Sequence, residues 1–372
     1  MRKLLHRISK WGTDAVSMPV LPRMPEYGES SRRGCRMRLR GAHFWCSNHP
    51  TSCCRIALLT GIMCQCYSPL AAQQTNSAAA QAGAGWKAYG EGRLNDAQKL
   101  LEEAVRLSPA VADYQAALAE VDSKLGQQDA AIQHFKRAIL LKPSDTEFRL
   151  DLAQVLQKKG NDREALRVLQ VIHQNPELSD AWHFSRGFSL FRLGSFVPAG
   201  NEFKLVVQKP RFTASASFFL GNIAYAQDRF DEAEPYLATA VELGNVEGNK
   251  AYNVYTYDYG LVLFKLGKFA AADRQFRASI TRYDQDPLPW MFLGRCEEEL
   301  GNYSEAITML ETSIKTDSTF QLSYYELARL QQRHGDPERA AELFRMISEQ
   351  KKEDVSMEQE RAMKLKTAPR PQ

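Results

Sequence analysis

From residue 78 to about residue 351 the chain alternates amphipathic stretches with short polar breaks. GWKAYGEGRLNDAQKLLEEAVRLSP, starting at Gly85, and AEVDSKLGQQDAAIQHFKRAILLKP, starting at Ala119, superimpose with a shift of 34 residues. The small residue that leads each stretch returns at Ala153, Gly187, Gly221, Gly260, Gly294 and Ala328, always 34 residues on except for 39 between Gly221 and Gly260. Seven positions after it stands Gly92, Gly126, Gly160, Gly194, Asp228, Gly267, Gly301 or Gly335. Five further on stands Ala97, Ala131, Ala165, Ala199, Ala233, Ala272, Ala306 or Ala340. Apolar residues recur at three- and four-residue spacing on both sides of the glycine, which predicts two helices joined by a tight turn. Glycine there ends the first helix in the left-handed conformation, and Asp228 is an acceptable substitute. The small residue and the alanine let the two backbones approach, and Phe135, Leu169, Phe203, Leu237, Phe276, Leu310 and Phe344 fill the space between units. A self-similar period of this length points to a stacked array of hairpins.

At these residues the chain resembles the tetratricopeptide repeat family, with eight units in phase over residues 78–351. The resemblance implies an all-α, right-handed superhelical solenoid whose first helices line a concave surface. Trp182 stands one residue ahead of the aromatic position that Trp290 occupies, and Arg186 replaces a usual leucine, so the fourth unit is expected to be locally distorted. The five-residue insertion near 244–253 suggests a bulge or hinge. Ala362 keeps the phase, and residues 352–372 are expected to form a polar capping helix and tail.

The inner face follows from helical geometry: positions three before, one after and four after the small residue share one side of a helix. In the fourth to sixth units these are Phe184, Phe188, Phe191, Phe218, Asn222, Tyr225, Tyr257, Leu261 and Phe264. They are the candidate partner-binding residues. Their alternative role is self-packing across a tightly curved array. Phe196, Phe230, Phe269 and Tyr303, just after the turns, are expected in the hairpin core.

Charge and cysteine usage separate the body from what precedes it. Residues 1–72 carry 11 Lys+Arg against 3 Asp+Glu, which leaves the rest at net −4 although the whole chain is +4. That balance argues against nucleic acid as the partner. Six of the 7 cysteines also precede residue 73. The basic residues, the apolar run IALLTGIM at 56–63 and the small residues Ala71 and Ala72 have the order of a secretory signal cleaved after Ala72, with translation starting at Met1, Met24 or Met37. The run is too short for a permanent membrane span. Residues 73–77 read as a flexible lead-in. The expected setting is secreted or periplasmic, with an organelle-targeted or cytoplasmic protein as the alternative.

Little in the chain suggests chemistry. CCR at 53–55 and CQC at 64–66 lack zinc-site spacing, so neither a metal nor a cofactor is expected. LGKF at 266–269 is the repeat turn rather than a phosphate loop, and His134, His173, His183 and His334 fall in different units. A few relatives in the family clamp a peptide carboxylate with Lys and Asn in the first repeat; here Ala82 and Trp86 stand at those positions. The expectation is a non-catalytic scaffold that binds a protein or peptide, with a receptor for a lipid, sugar or other small ligand as the alternative.

Overall fold

A computed structural model describes residues 37–39, 42–44, 69–172, 179–246, 251–281 and 285–367, with side chains between residues 77 and 352. Two compact units are distinguished among the described residues, divided between Lys159 and Gly160. Both are built from helices, sixteen among the described residues, and the repeat body is all-α.

In the first unit, Met37–Leu39 (β1) and Ala42–Phe44 (β2) pair antiparallel. Five helices follow: Pro69–Gly90 (α1), Leu94–Leu107 (α2), Ala112–Lys124 (α3), Gln128–Leu141 (α4) and Glu147–Lys158 (α5). Each packs on the next, and Ala82, Ala88, Ala97, Leu101, Leu118 and Val121 form a buried core. Helix α1 already includes residues 73–77, so the expected flexible lead-in is helical. Residues 73–77, Gln-Gln-Thr-Asn-Ser, contain neither glycine nor proline, and alanines flank them at 71–72 and 78–80, so the helix runs through them.

The second unit contains Asp162–Gln170 (α6), Ser179–Arg192 (α7), Phe196–Val206 (α8), Thr213–Ala226 (α9) and Phe230–Gly244 (α10). It continues with Tyr252–Lys265 (α11), Phe269–Ile280 (α12), Pro287–Glu299 (α13), Tyr303–Thr316 (α14), Gln321–His334 (α15) and Pro337–Thr367 (α16). The pairs α7/α8, α9/α10, α11/α12, α13/α14 and α15/α16 are hairpins, and each second helix up to α14 also packs on the following first helix.

The turns carry the expected backbone. Gly92, Gly126, Gly160, Gly194, Gly267 and Gly301 have φ between 71° and 88°, and Asp228 has φ 55°. At Gly194, its N–H donates to the Phe191 carbonyl and the Ser195 N–H to the Leu190 carbonyl, both at 2.9 Å, which satisfies groups that the helix end leaves open. Gly335 departs from the series with φ −138°. There Asp336 starts α16 instead: its Oδ1 accepts from the Glu338 N–H at 2.8 Å, and Pro337 supplies the fixed φ of a first helical turn.

The last helix also differs from expectation. α16 runs without a break for 31 residues, so residues 352–367 do not fold back as a separate cap. The Gln350–Lys351–Lys352–Glu353 stretch offers good helix formers where a turn would need glycine or proline. The hinge expected at the insertion falls partly on residues 247–250, outside the described residues.

Small first-helix residues set the hairpin spacing. A Cβ placed on Gly260 would lie 2.8 Å from the Phe276 ring, and one on Gly294 would lie 2.7 Å from Leu310 Cγ and 3.0 Å from the Ala306 carbonyl. Because α14 backbone lies behind that contact, Gly294→Ala is expected to destabilise the protein by about 1–3 kcal/mol through overpacking. Chemical denaturation of the full chain measures this; an unchanged midpoint would show that the helices separate freely.

Candidate functional site

Helix periodicity places the nine candidate residues on one side of α7, α9 and α11, but that side is mostly covered. Phe184, Phe188, Phe191, Phe218, Asn222 and Tyr257 are all 8% exposed or less. The open aromatic groove expected across these helices is therefore corrected: these six residues are interior. Adjacent first helices, α7 with α9 and α9 with α11, lie in contact, so each covers the face of its neighbour.

The centre of this interior is Phe219, two positions before the small residue Gly221. Its ring lies 5.5 Å from Phe188, 5.1 Å from Phe191 and 5.3 Å from Phe218, each edge-on, and stacks on Phe203 at 4.9 Å. Edge-to-face and offset geometries of this kind are the favourable ones for aromatic pairs. Phe292 repeats the arrangement two positions before Gly294, stacking on Phe276 at 5.3 Å. The position-minus-two aromatics of α9 and α13 thus pair with the large residue of the preceding second helix. Sequence reasoning passed over them, although their recurrence at equal phase was a readable signal. Phe196 is buried as expected, whereas Phe230 and Phe269 are half-buried and Tyr303 is 38% exposed, stacked on His334 at 4.0 Å.

Three candidate residues stay half-buried: Tyr225 on α9, and Leu261 and Phe264 on α11. The Arg295 guanidinium on α13 lies 4.6 Å from the Phe264 ring centroid, a cation–π distance. Beyond it the same helix faces turn ionic. Arg295 approaches Glu326, Arg329 bridges Glu298 and Glu326, and Arg333 reaches Glu298 at 3.7 Å. An apolar strip thus passes into a ladder of alternating charge.

A polar junction joins α6 to α7. Trp182 Nε1 donates to the Leu169 carbonyl at 2.8 Å; on the other side of α7, His183 and Arg186 both hold the buried Glu202 carboxylate of α8. Asp162, also buried, pairs with Arg192 Nε at 3.2 Å. Trp182 and Arg186, the two departures noted in the sequence, thus act as polar anchors, while α7 itself runs unbroken from Ser179 to Arg192. Burial pushes the Asp162 carboxyl up to about 6, with Arg192 opposing the rise. The thiol of Cys296, the cysteine after residue 72, is buried and pushed up to about 12 by burial, with Asp273 and Glu297 adding to it, which makes it a packing residue.

In the first unit, Tyr89, Glu120, Ser123, Lys124, Gln154 and Lys158 line a concavity of about 20 Å³, room for about one water. Among the described residues there is no group of three His, Cys, Asp or Glu side chains that could hold a metal, and no helix long and apolar enough to cross a membrane.

The chain matches the tetratricopeptide repeat family over residues 82–147, 123–183, 203–248, 257–319 and 321–346, well over half its length. It belongs to that family. A human protein O-mannosyl-transferase, TMTC1, is 24% identical over 159 residues, covering 42% of this chain and 18% of that protein. The CTR9 homolog of Arabidopsis thaliana is 23% identical over 253 residues, covering 65% and 23%. The chain therefore spans about a fifth of the length of these relatives. Among solved structures, a tetratricopeptide repeat protein from Parabacteroides merdae ATCC 43184 aligns with TM-score 0.50 and 14% identity, covering 68% of this chain and 98% of that one, a likeness of fold.

Two outcomes test the assignment of interior and surface. Phe219→Ala is expected to destabilise by about 3–5 kcal/mol, as loss of a buried aromatic does, while Tyr225→Ala changes stability far less. Equal melting of the two variants would contradict the division. The second concerns pH. An aspartate whose folded pKa lies above its unfolded value destabilises the charged folded state, fully above pH ~6 and not below pH ~4. Stability should therefore rise by about 1–3 kcal/mol through Asp162 as pH falls from 7 to 4.5, and that increment should vanish in Asp162→Asn. Parallel pH profiles for the two proteins would rule the effect out.

Proposed function

We propose that the sixteen helices form eight tetratricopeptide repeats that act as a non-catalytic protein-interaction scaffold, binding a peptide or helix of a partner across α9, α11 and α13. The observation that carries this reading is the run of half-buried apolar side chains, Tyr225, Leu261 and Phe264, ending under the Arg295 guanidinium. Rigid aromatic rings beside a guanidinium are the residue types that dominate binding energy at protein interfaces. The six buried members of the original nine support this strip from behind rather than meeting the partner.

The setting is proposed from sequence alone: the basic, cysteine-rich residues 1–72 act as a secretory leader, and the repeats work in a secreted or periplasmic space. The leader residues 45–68 lie outside the described residues. The transferase activity named for the human relative is not carried over, since the match covers 18% of that protein.

Panning a random peptide library on the immobilised full chain tests the reading. Enriched peptides are expected to bind Phe264→Ala and Tyr225→Ala about 10- to 100-fold more weakly, corresponding to ~1–3 kcal/mol at a central contact, with helical content unchanged. Absence of any enrichment, or equal binding by wild type and both variants, would overturn it.

A further inference from the structure

The end of the array exposes what every earlier hairpin hides. The large second-helix residue, sixteen positions after the small residue, is at most 1% exposed at Leu101, Phe135, Leu169, Phe203, Leu237, Phe276 and Leu310, but 36% exposed at Phe344. The first-helix residue three positions before the small residue behaves alike: Ala82, Ala116, Leu150, Phe184, Phe218, Tyr257 and Met291 are at most 8% exposed, and Tyr325 is 50% exposed. The Tyr325 and Phe344 rings lie side by side, with centroids 6.2 Å apart. Both series end uncovered because α16 continues straight through Lys351 and Lys352 instead of turning back.

Charges beside this face identify what covers it. Along one edge of α16 stand Glu342, Arg345, Glu349 and Lys352, all exposed, spaced three, four and three residues apart and so in line on the helix. Next to that edge run the exposed Ala341, Phe344 and Ser348. The order minus, plus, minus, plus reverses into its own complement. When two such helices lie antiparallel about a two-fold axis at Ile347, Glu342 of each meets Lys352 of the other, and Arg345 of each meets Glu349. The same axis sets Phe344 beside the small Ser348 of the other copy. A two-fold interface requires this kind of self-complementary patch. Within one chain Arg345 Nε stands 3.9 Å from Glu349 with both more than 60% exposed, and Glu342 pairs with Arg339 at the surface.

We infer that this face is a homodimer interface, in which Tyr325 and Phe344 are covered by the α16 helix of a second copy of this chain. The contact is independent of the peptide strip on α9, α11 and α13, so either reading can fail alone.

Sedimentation velocity of the full chain from roughly 1 to 100 µM, a range that reports micromolar affinities, gives the test. The wild type is expected to dimerise with rising concentration. Arg345→Glu turns two symmetry-related contacts repulsive and should raise the dimer Kd about tenfold or more, as like charges facing across an interface do. Glu342→Lys should act in the same direction, giving a second variant at a separate surface position. The double variant R345E/E349R restores both pairs and should recover dimerisation. Far-UV circular dichroism confirms that each variant stays folded. A chain that remains monomeric throughout, a dimer indifferent to both single reversals, or a double variant no better than R345E would overturn the inference.

Discussion

The close approach of paired helices governs the rest of this molecule. In five hairpins the first helix carries glycine where the second helix presses a leucine or phenylalanine against it, and a methyl group at Gly221 would stand only 2.6 Å from Leu237 Cγ. Backbones that close leave a single packed layer per hairpin, so the large residue opposite the glycine becomes the platform for the next first helix. Phe203 and Phe276 show the result, each stacked under an aromatic of the following hairpin. Burial is thus handed from unit to unit, as nearest-neighbour packing in a repeat array requires. It stops at Phe344, which is 36% exposed.

Polar chemistry is arranged around that apolar spine. Where α7 meets α6, Trp182 bonds to a carbonyl, and where α7 meets α8, Glu202 gathers His183 and Arg186. On α13 and α15, arginines and glutamates alternate along the faces that are aromatic on α9 and α11. The repeat scaffold therefore keeps one backbone plan while the exposed chemistry of its first helices changes along the array.

Much of the fold was legible because its determinants are local. The turn glycines, the substitute Asp228 and the alanines of the second helices each act through their own backbone or nearest neighbour, and the left-handed turns occur where the sequence puts them. Burial of Phe184, Phe188 and Tyr257 was not legible from helix phase, which fixes a side but not how near the adjacent first helix comes. The stacking partners Phe219 and Phe292 would have settled it, since aromatics two positions before a small residue have to face the preceding hairpin. Gly335 misled for a different reason: Asp336 offered α16 a side-chain start that made the left-handed turn unnecessary. The helical lead-in at residues 73–77 is polar but lies between alanines on both sides, and polarity alone did not reveal that the helix passes through it.

Helix α6 gives the array an uneven mechanical grain. It has nine residues, buries Asp162, Ala165 and Leu169, and meets α7 through the Asp162–Arg192 ion pair and the Trp182 hydrogen bond rather than through stacked rings. Cooperativity in a repeat protein passes through its interfaces, and a weakly coupled one divides the chain into blocks that open separately. Helices α7 to α11, sharing one aromatic interior, form the stiff block, and α6 is where amide exchange, proteolytic nicking or an applied pull would first let the array come apart.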